Sequence, residues 1–234
     1  MVQITLPVKI ESQEQALSAI KEAAAKKPDL LELRLDYMPE GALTPEVLDK
    51  LLYSYSKEYG EDATGLIVTV RHKDEAGPDE KAGYKGTEEQ RAMIFRRAIE
   101  RGVNYIDIEG FRYEEILGYL AKEGELDNGE TKLIVSHHNW EKTPDVAGVY
   151  KILKMYTSAD VIKIVVQTHS EEDGNKVVEA IEQANKDGMP FIGIGLGAPK
   201  TRLHPGNHIT YACLKKGEGT AAEQYTVEEL RRLI

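Results

Sequence analysis

Cysteine is almost missing from this chain: Cys213 is the only one in 234 residues. A single thiol makes no disulfide within the chain, so a reducing compartment is expected, the cytoplasm in particular. Cys213 has no basic residue at its side to activate it and reads as a small core residue. Also lacking is any apolar run near the ~20 residues that cross a bilayer, so no membrane partner is expected. Met1–Pro7 has neither the basic start nor the long apolar segment of a signal peptide, and reads as a first strand. Positive charge is in deficit. Thirty Lys and Arg against forty Asp and Glu leave a net −10, which argues against a nucleic-acid partner. An anionic small substrate would have to be held by local arginines, against the overall field. No linker, composition shift or repeat of similar sequence interrupts the chain, so residues 1–234 are expected to form one domain.

A composition 41% hydrophobic and 30% charged is that of a globular protein. Short β-branched runs alternate with amphipathic stretches from end to end. The runs predict strands at 2–6, 30–35, 66–71, 104–109, 132–138, 161–166, 190–194 and 209–212. Helices are expected at about 12–25, 45–57, 88–101, 113–122, 145–156, 174–187 and 227–233. Ser12, Thr44 before Pro45, and Thr87 before two glutamates stand where helix caps belong. Eight strands with intervening helices in this length point to a single (β/α)8 barrel of the TIM type, with a doubly wound open sheet as the alternative. The seventh crossover, 195–206, is rich in Gly and Pro and poor in helical periodicity.

One strand carries a lysine where lysine is rare. In Val161-Ile162-Lys163-Ile164-Val165-Val166-Gln167 the residues around Lys163 are apolar, and alternation puts Val161, Lys163, Val165 and Gln167 on one face. Such surroundings would lower the lysine pKa and leave a nucleophilic amine; pairing with a buried carboxylate is the structural alternative. Other strands repeat the theme. Leu31, Leu33 and Leu35 share one face while Glu32, Arg34 and Asp36 share the other, and Arg71, Asp107 and Glu109 follow the same partition. Leucines facing a helix layer would aim these charges into the barrel, either as a reaction chamber or as a self-neutralising ion network. Arg71, His138 and Gln167 fall at the carboxyl ends of strands, the barrel face that carries chemistry. His137 and His138 are adjacent and so point to opposite faces; Ser136 and His138 share one, and His138 suits proton transfer near Lys163. Gly193-Ile194-Gly195-Leu196-Gly197-Ala198 fits a dinucleotide pattern weakly, and its glycines are expected to let a ligand approach the backbone.

With these residues, the sequence resembles type I 3-dehydroquinate dehydratase over nearly its whole length. The matches are Glu32-x-Arg34-x-Asp36; Arg71 with Glu75-Ala76-Gly77; Ser136-His137-His138-Asn139-Trp140 with Thr143-Pro144; Asp160-Val161-Ile162-Lys163; Thr201-Arg202; Thr210-Tyr211; and Gln224. The resemblance implies that Lys163 forms a Schiff base with the ketone of 3-dehydroquinate. It implies that His138 is the general base and then acid, and that Glu75 orients it. Arg202 would grip the substrate carboxylate, and Glu32, Arg34, Arg71, Thr220 and Gln224 would hold the ring hydroxyls or tune the lysine. It also implies loss of water to give 3-dehydroshikimate with neither metal nor dissociable cofactor, and a homodimer. The last loop departs from the family's S-A-P-G-Q. Here Thr220-Ala221-Ala222-Glu223-Gln224 loses Pro and Gly and adds a charge. Two further enzyme readings remain: an imine-forming aldolase, or a divalent-metal barrel using Glu32, Asp107 and Glu109. A metabolite-binding relative without activity is the non-enzymatic one.

Overall fold

The fold is known from a computed structural model, which describes residues 1–60, 63–120, 130–156, 158–217 and 224–234. Eight parallel strands alternate with helices: β1 Gln3–Lys9, β2 Leu30–Arg34, β3 Gly65–Thr69, β4 Tyr105–Glu109, β5 Lys132–Asn139, β6 Val161–Gln167, β7 Phe191–Leu196 and β8 Ile209–Tyr211. Between and after them run α1 Gln13–Ala24, α2 Pro45–Tyr59, α3 Glu88–Glu100, α4 Tyr113–Leu120, α5 Val146–Lys154, α6 Glu171–Lys186, α7 Pro199–Arg202 and α8 Val227–Leu233. The strands lie in the order β7-β6-β5-β4-β3-β2-β1-β8, a sheet curled into a nearly closed (β/α)8 barrel. The seam between β7 and β8 is stitched just before β8. His208 N–H donates to the Phe191 carbonyl at 2.7 Å, and the Asn207 side-chain oxygen accepts from Gly193 N–H at 2.7 Å.

Side-chain alternation sorts the residues into two layers. Leu31, Leu33, Val68, Val70, Ile106, Ile108, Val135, Ile162, Ile164 and Val166 face outward and pack under the helices. Inside, Leu30, Ile67, Tyr105, Ile134, Val161, Ile192 and Ile209 form an apolar plug near the amino ends of the strands. Above that plug the interior is ionic. Glu32, Arg71, Asp107, Glu109, Ser136 and Lys163 are all buried there, where barrels of this kind usually carry further apolar side chains.

The caps explain why the helices begin where they do. Ser12, Thr44 and Thr87 accept from backbone N–H groups at the starts of α1, α2 and α3, and Thr87 forms a full capping box with Gln90. Helix α6 starts earlier than its apolar periodicity, which begins at Val177. Ser170 caps it, and Glu171, Glu172 and Asp173 fill a first turn whose free N–H groups favour negative charge. The seventh crossover holds a single helical turn, with Pro199 opening it rather than interrupting it.

Candidate active site

A cleft at the carboxyl ends of the strands holds about 440 Å³ of space, its open mouth included. Glu32, Arg34, Arg71, Glu75, His138, Trp140, Lys163, Arg202, Tyr211 and Gln224 all line it. The chain thus brings together eight of the nine residues expected for the site. Thr220, the ninth, lies outside the described residues. A roomier groove runs outside the barrel between α5 and α6, but two of its lysines serve surface ion pairs, Lys154 with Asp187 at 2.5 Å and Lys176 with Asp173 at 3.3 Å.

Lys163 sits in a different setting from the apolar one expected. Its Nζ donates to Asp107 Oδ2 at 2.8 Å, lies 2.8 Å from the Tyr211 hydroxyl and 3.6 Å from Glu32 Oε1. Of the apolar residues of its own strand, Ile162, Ile164 and Val166 pack outward, Val161 lies below it and Val165 lines the cleft, while the polar faces of β2, β4 and β8 converge on the amine. The same convergence answers how so much charge is buried, since each ion has a partner. Arg71 lies 2.9 Å from both oxygens of Asp107 and donates to Glu109 Oε1 at 2.9 Å and Ser136 Oγ at 2.8 Å. Ser136 in turn donates to Asp107 at 2.6 Å, and the Thr69 hydroxyl donates to Glu32 at 2.9 Å. Burial pushes the Asp107 carboxyl up; Arg71 and Lys163 outweigh that and hold it well below the usual carboxylate range. Arg34 makes a two-point contact with Asp36 at 2.9 and 2.8 Å, and Asp36 also accepts from Gly83 N–H in the loop after β3.

Asp107 and Glu109, considered above as metal ligands, have their oxygens taken up by Arg71, Lys163 and one residue that sequence reasoning missed. Arg91, from α3 in the outer layer, reaches in to donate to Glu109 Oε2 at 2.6 Å and to the Val70 carbonyl at 3.0 Å. Its signal in the sequence was positional. Arg91 occupies the same helical stripe as Ile94, Phe95 and Ala98, where an apolar residue belongs.

His138, near the end of β5, is fixed by Glu75 from the turn after β3. The carboxylate accepts the His138 backbone N–H at 2.8 Å and its ring Nδ1 at 3.2 Å, which leaves Nε2 as the nitrogen with a lone pair for substrate. Burial, and then the Arg71 guanidinium, push the imidazole down to about 4 against the pull of Glu75, so the ring is neutral at pH 7. Burial raises the Glu75 carboxyl, and contacts with His137 and His138 more than reverse it, bringing it down to about 2. His137 does point away from His138, packing edge-on against Phe111 with centroids 4.9 Å apart, yet its Nδ1 still lies 3.5 Å from the other Glu75 oxygen. Trp140 stacks over His138 at 6.2 Å and donates its ring N–H to the Glu75 carbonyl at 3.0 Å.

The glycines of the seventh strand do not face a ligand. A Cβ on Gly193 would come within 2.6 Å of Ile181 of α6, and one on Gly195 within 2.8 Å of Thr168. They let α6 and the β6–α6 turn sit close to the sheet, while Ile194 and Leu196 between and after them line the cleft. Gln167 also stays out of the cleft, its amide donating to the carbonyls of Thr168 and Leu196.

A model of the type I 3-dehydroquinase family matches residues 4–234. The chain belongs to that family. Among relatives, the 3-dehydroquinate dehydratase of Desulfotalea psychrophila is 32% identical over 213 residues, covering 88% of this chain and 86% of its own. That of Methanocaldococcus jannaschii is 30% identical over 237 residues, covering 98% and 96%. The fold is shared with the crystal structure of 3-dehydroquinate dehydratase from Geobacillus kaustophilus, at TM-score 0.81 and 22% identity over 100% of this chain and 90% of that one. The type I enzyme from Clostridium difficile, solved with covalently modified comenic acid, matches at TM-score 0.79 and 20% identity, over 99% and 90% of the two chains.

Proposed function

We propose that this protein is a 3-dehydroquinate dehydratase, a hydro-lyase that removes water from 3-dehydroquinate through a Schiff base on Lys163. The observation that carries this reading is the meeting of the Lys163 amine and a neutral, Glu75-anchored His138 in one cleft. Lys163 gives up its ammonium proton to solvent in the cleft, the free amine adds to the substrate ketone, and the carbinolamine takes one proton back on its oxygen and expels water. The resulting cationic imine draws electrons from the adjacent C–H bond and acidifies it. His138 Nε2 takes that proton, and the imidazolium returns one to the departing hydroxyl, restoring neutral His138. Hydrolysis of the product imine frees 3-dehydroshikimate and Lys163. Arg202, buried at the end of α7, faces the cleft with a guanidinium suited to two-point contact with the substrate carboxylate. Arg34, Glu32, Arg71 and Gln224 hold the hydroxyl-bearing ring; the family resemblance adds Thr220, which lies outside the described residues.

No catalytic metal is part of this reading, and the substrate is the only small-molecule partner it needs. We infer a cytoplasmic homodimer, supported by the resemblance to the family and by the single buried thiol; sedimentation of the purified protein tests the dimer. The activity is tested by adding 3-dehydroquinate and following the ultraviolet absorbance of the conjugated product. Absorbance should rise, unaffected by EDTA. No rise removes the dehydratase assignment, and a rise that EDTA abolishes and Mg2+ restores assigns the chemistry to a metal instead.

A further inference from the structure

Tyr211 ends β8 with its ring buried in the barrel and its hydroxyl 2.8 Å from Lys163 Nζ; the ring centroid is 4.3 Å from the same atom. The ring supplies a π face beneath the amine, a task phenylalanine would do as well. The hydroxyl is therefore the feature in need of a function.

The Schiff-base reading creates a need for it. When the amine adds to the ketone, an N–C bond forms, the carbonyl π bond breaks, and the adduct holds a positive nitrogen beside a negative oxygen. Water leaves only after a proton has moved from that nitrogen to that oxygen and a second proton, the one the resting ammonium gave to solvent, has joined it there. The two atoms share one carbon, so direct transfer runs through a strained four-membered ring, while a hydroxyl touching both opens a six-membered path. We propose that Tyr211 is a catalytic residue for imine formation, its hydroxyl accepting the proton from Lys163 Nζ while passing its own proton to the former carbonyl oxygen. Tyr211 starts and finishes neutral, the zwitterion becomes a neutral carbinolamine, and no other reactant is consumed. By reversibility the same hydroxyl serves hydrolysis of the product imine.

The other groups near the amine are poorly placed for this relay. Asp107 is engaged at both oxygens by Arg71, with Ser136 on one and Lys163 on the other, and stays ionised, so it accepts hydrogen bonds but has no proton to deliver. Glu32 stands 3.6 Å away and accepts from Thr69. His138 is turned by Glu75 to serve the C–H bond. Burial, reinforced by the charges of Glu32 and Asp107, holds the Tyr211 phenol well above its ordinary value, so the hydroxyl keeps its proton until the relay moves it.

The inference rests on the proposed Schiff base, and its test separates the two. His138→Ala halts the reaction at the imine, so imine formation is followed alone in that background, with and without Tyr211→Phe. Each protein is mixed with 3-dehydroquinate, quenched with borohydride at successive times and weighed intact. Removing the hydroxyl should slow the approach to the plateau at least ~10-fold while leaving the plateau unchanged, because a relay accelerates both directions equally. An approach within twofold of the His138→Ala protein overturns the relay. A slower approach to a lower plateau overturns it too, since it marks a misplaced lysine. If the protein with Tyr211 intact forms no adduct, the Schiff-base reading falls and the relay with it. A failure confined to Tyr211→Phe leaves that reading standing.

Discussion

Glu75 reaches His138 twice, through the backbone N–H and through Nδ1, and so fixes both where the ring sits and which nitrogen is free. The backbone contact survives any change of the side chain, which makes His138→Ala a clean deletion of the imidazole. In that variant borohydride-trapped imine should still form, because the amine and Tyr211 are untouched, while turnover falls at least ~100-fold. A variant that loses imine and turnover together would place His138 earlier in the reaction. At this scale the sequence revealed which residues carry charge into the barrel, but not their pairing. Lys163 reads as a lysine among valines and isoleucines because its strand neighbours are adjacent in the sequence. Its contacts in space, Asp107, Tyr211 and Glu32, come from three other strands. Arg91 was hidden for a related reason, since nothing local tells that an arginine in an apolar stripe finds Glu109 behind the sheet. His137 shows the reach of a carboxylate: strand alternation separates the two rings, and Glu75, placed beyond the strand end, still meets both.

The strands were legible because β-branched runs interrupt amphipathic stretches at regular spacing, and each run lies within a few residues of the strand it forms. The helix ends were legible where a cap is present, as at Thr44 and Thr87. Two readings failed at the seventh unit, and for the same cause. The glycines of the seventh strand read as room for a ligand, and the Gly- and Pro-rich crossover after them as poor in helix. In fact Pro199 sits in the first turn of α7, where its missing N–H has no helical partner to lose, and Gly193 makes room for α6. A glycine's purpose depends on what lies opposite, which local sequence does not contain. Gly193→Ala would drive a methyl to within 2.6 Å of Ile181 Cγ1 and 3.0 Å of Phe191 in a fully packed layer. Urea unfolding should show a loss of about 1–3 kcal/mol, with the kinetic constants of the remaining folded protein little changed. An unaltered unfolding midpoint would mean that the helix layer yields, and would return this glycine to the site.

The molecule as a whole is a barrel whose upper interior is a closed set of ion pairs above an apolar plug, and that arrangement makes stability depend on acid. His138 is held down to about 4 from an ordinary value of 6.5. The unfolded chain therefore binds a proton that the folded chain refuses between those values. Its contribution is complete above pH 6.5 and is lost as pH falls towards 4. Glu75, down to about 2 from 4.5, contributes above pH 4.5 and loses that contribution on the way to 2, and Asp107 and Asp36 act in the same sense at low pH. Thermal midpoints measured by calorimetry should fall from pH 6.5 to 4 and fall further below 4. In His138→Ala the first decline should be shallower and the second retained. A midpoint constant between pH 7 and 4 would contradict a buried, neutral imidazole.

The whole account depends on Lys163 being the nucleophile, and the mass of the protein after borohydride reduction in the presence of 3-dehydroquinate tests that directly. A single covalent adduct, located on the peptide containing Lys163 and absent from Lys163→Met, is the expected result. An unchanged mass, or an adduct on another lysine, would contradict it.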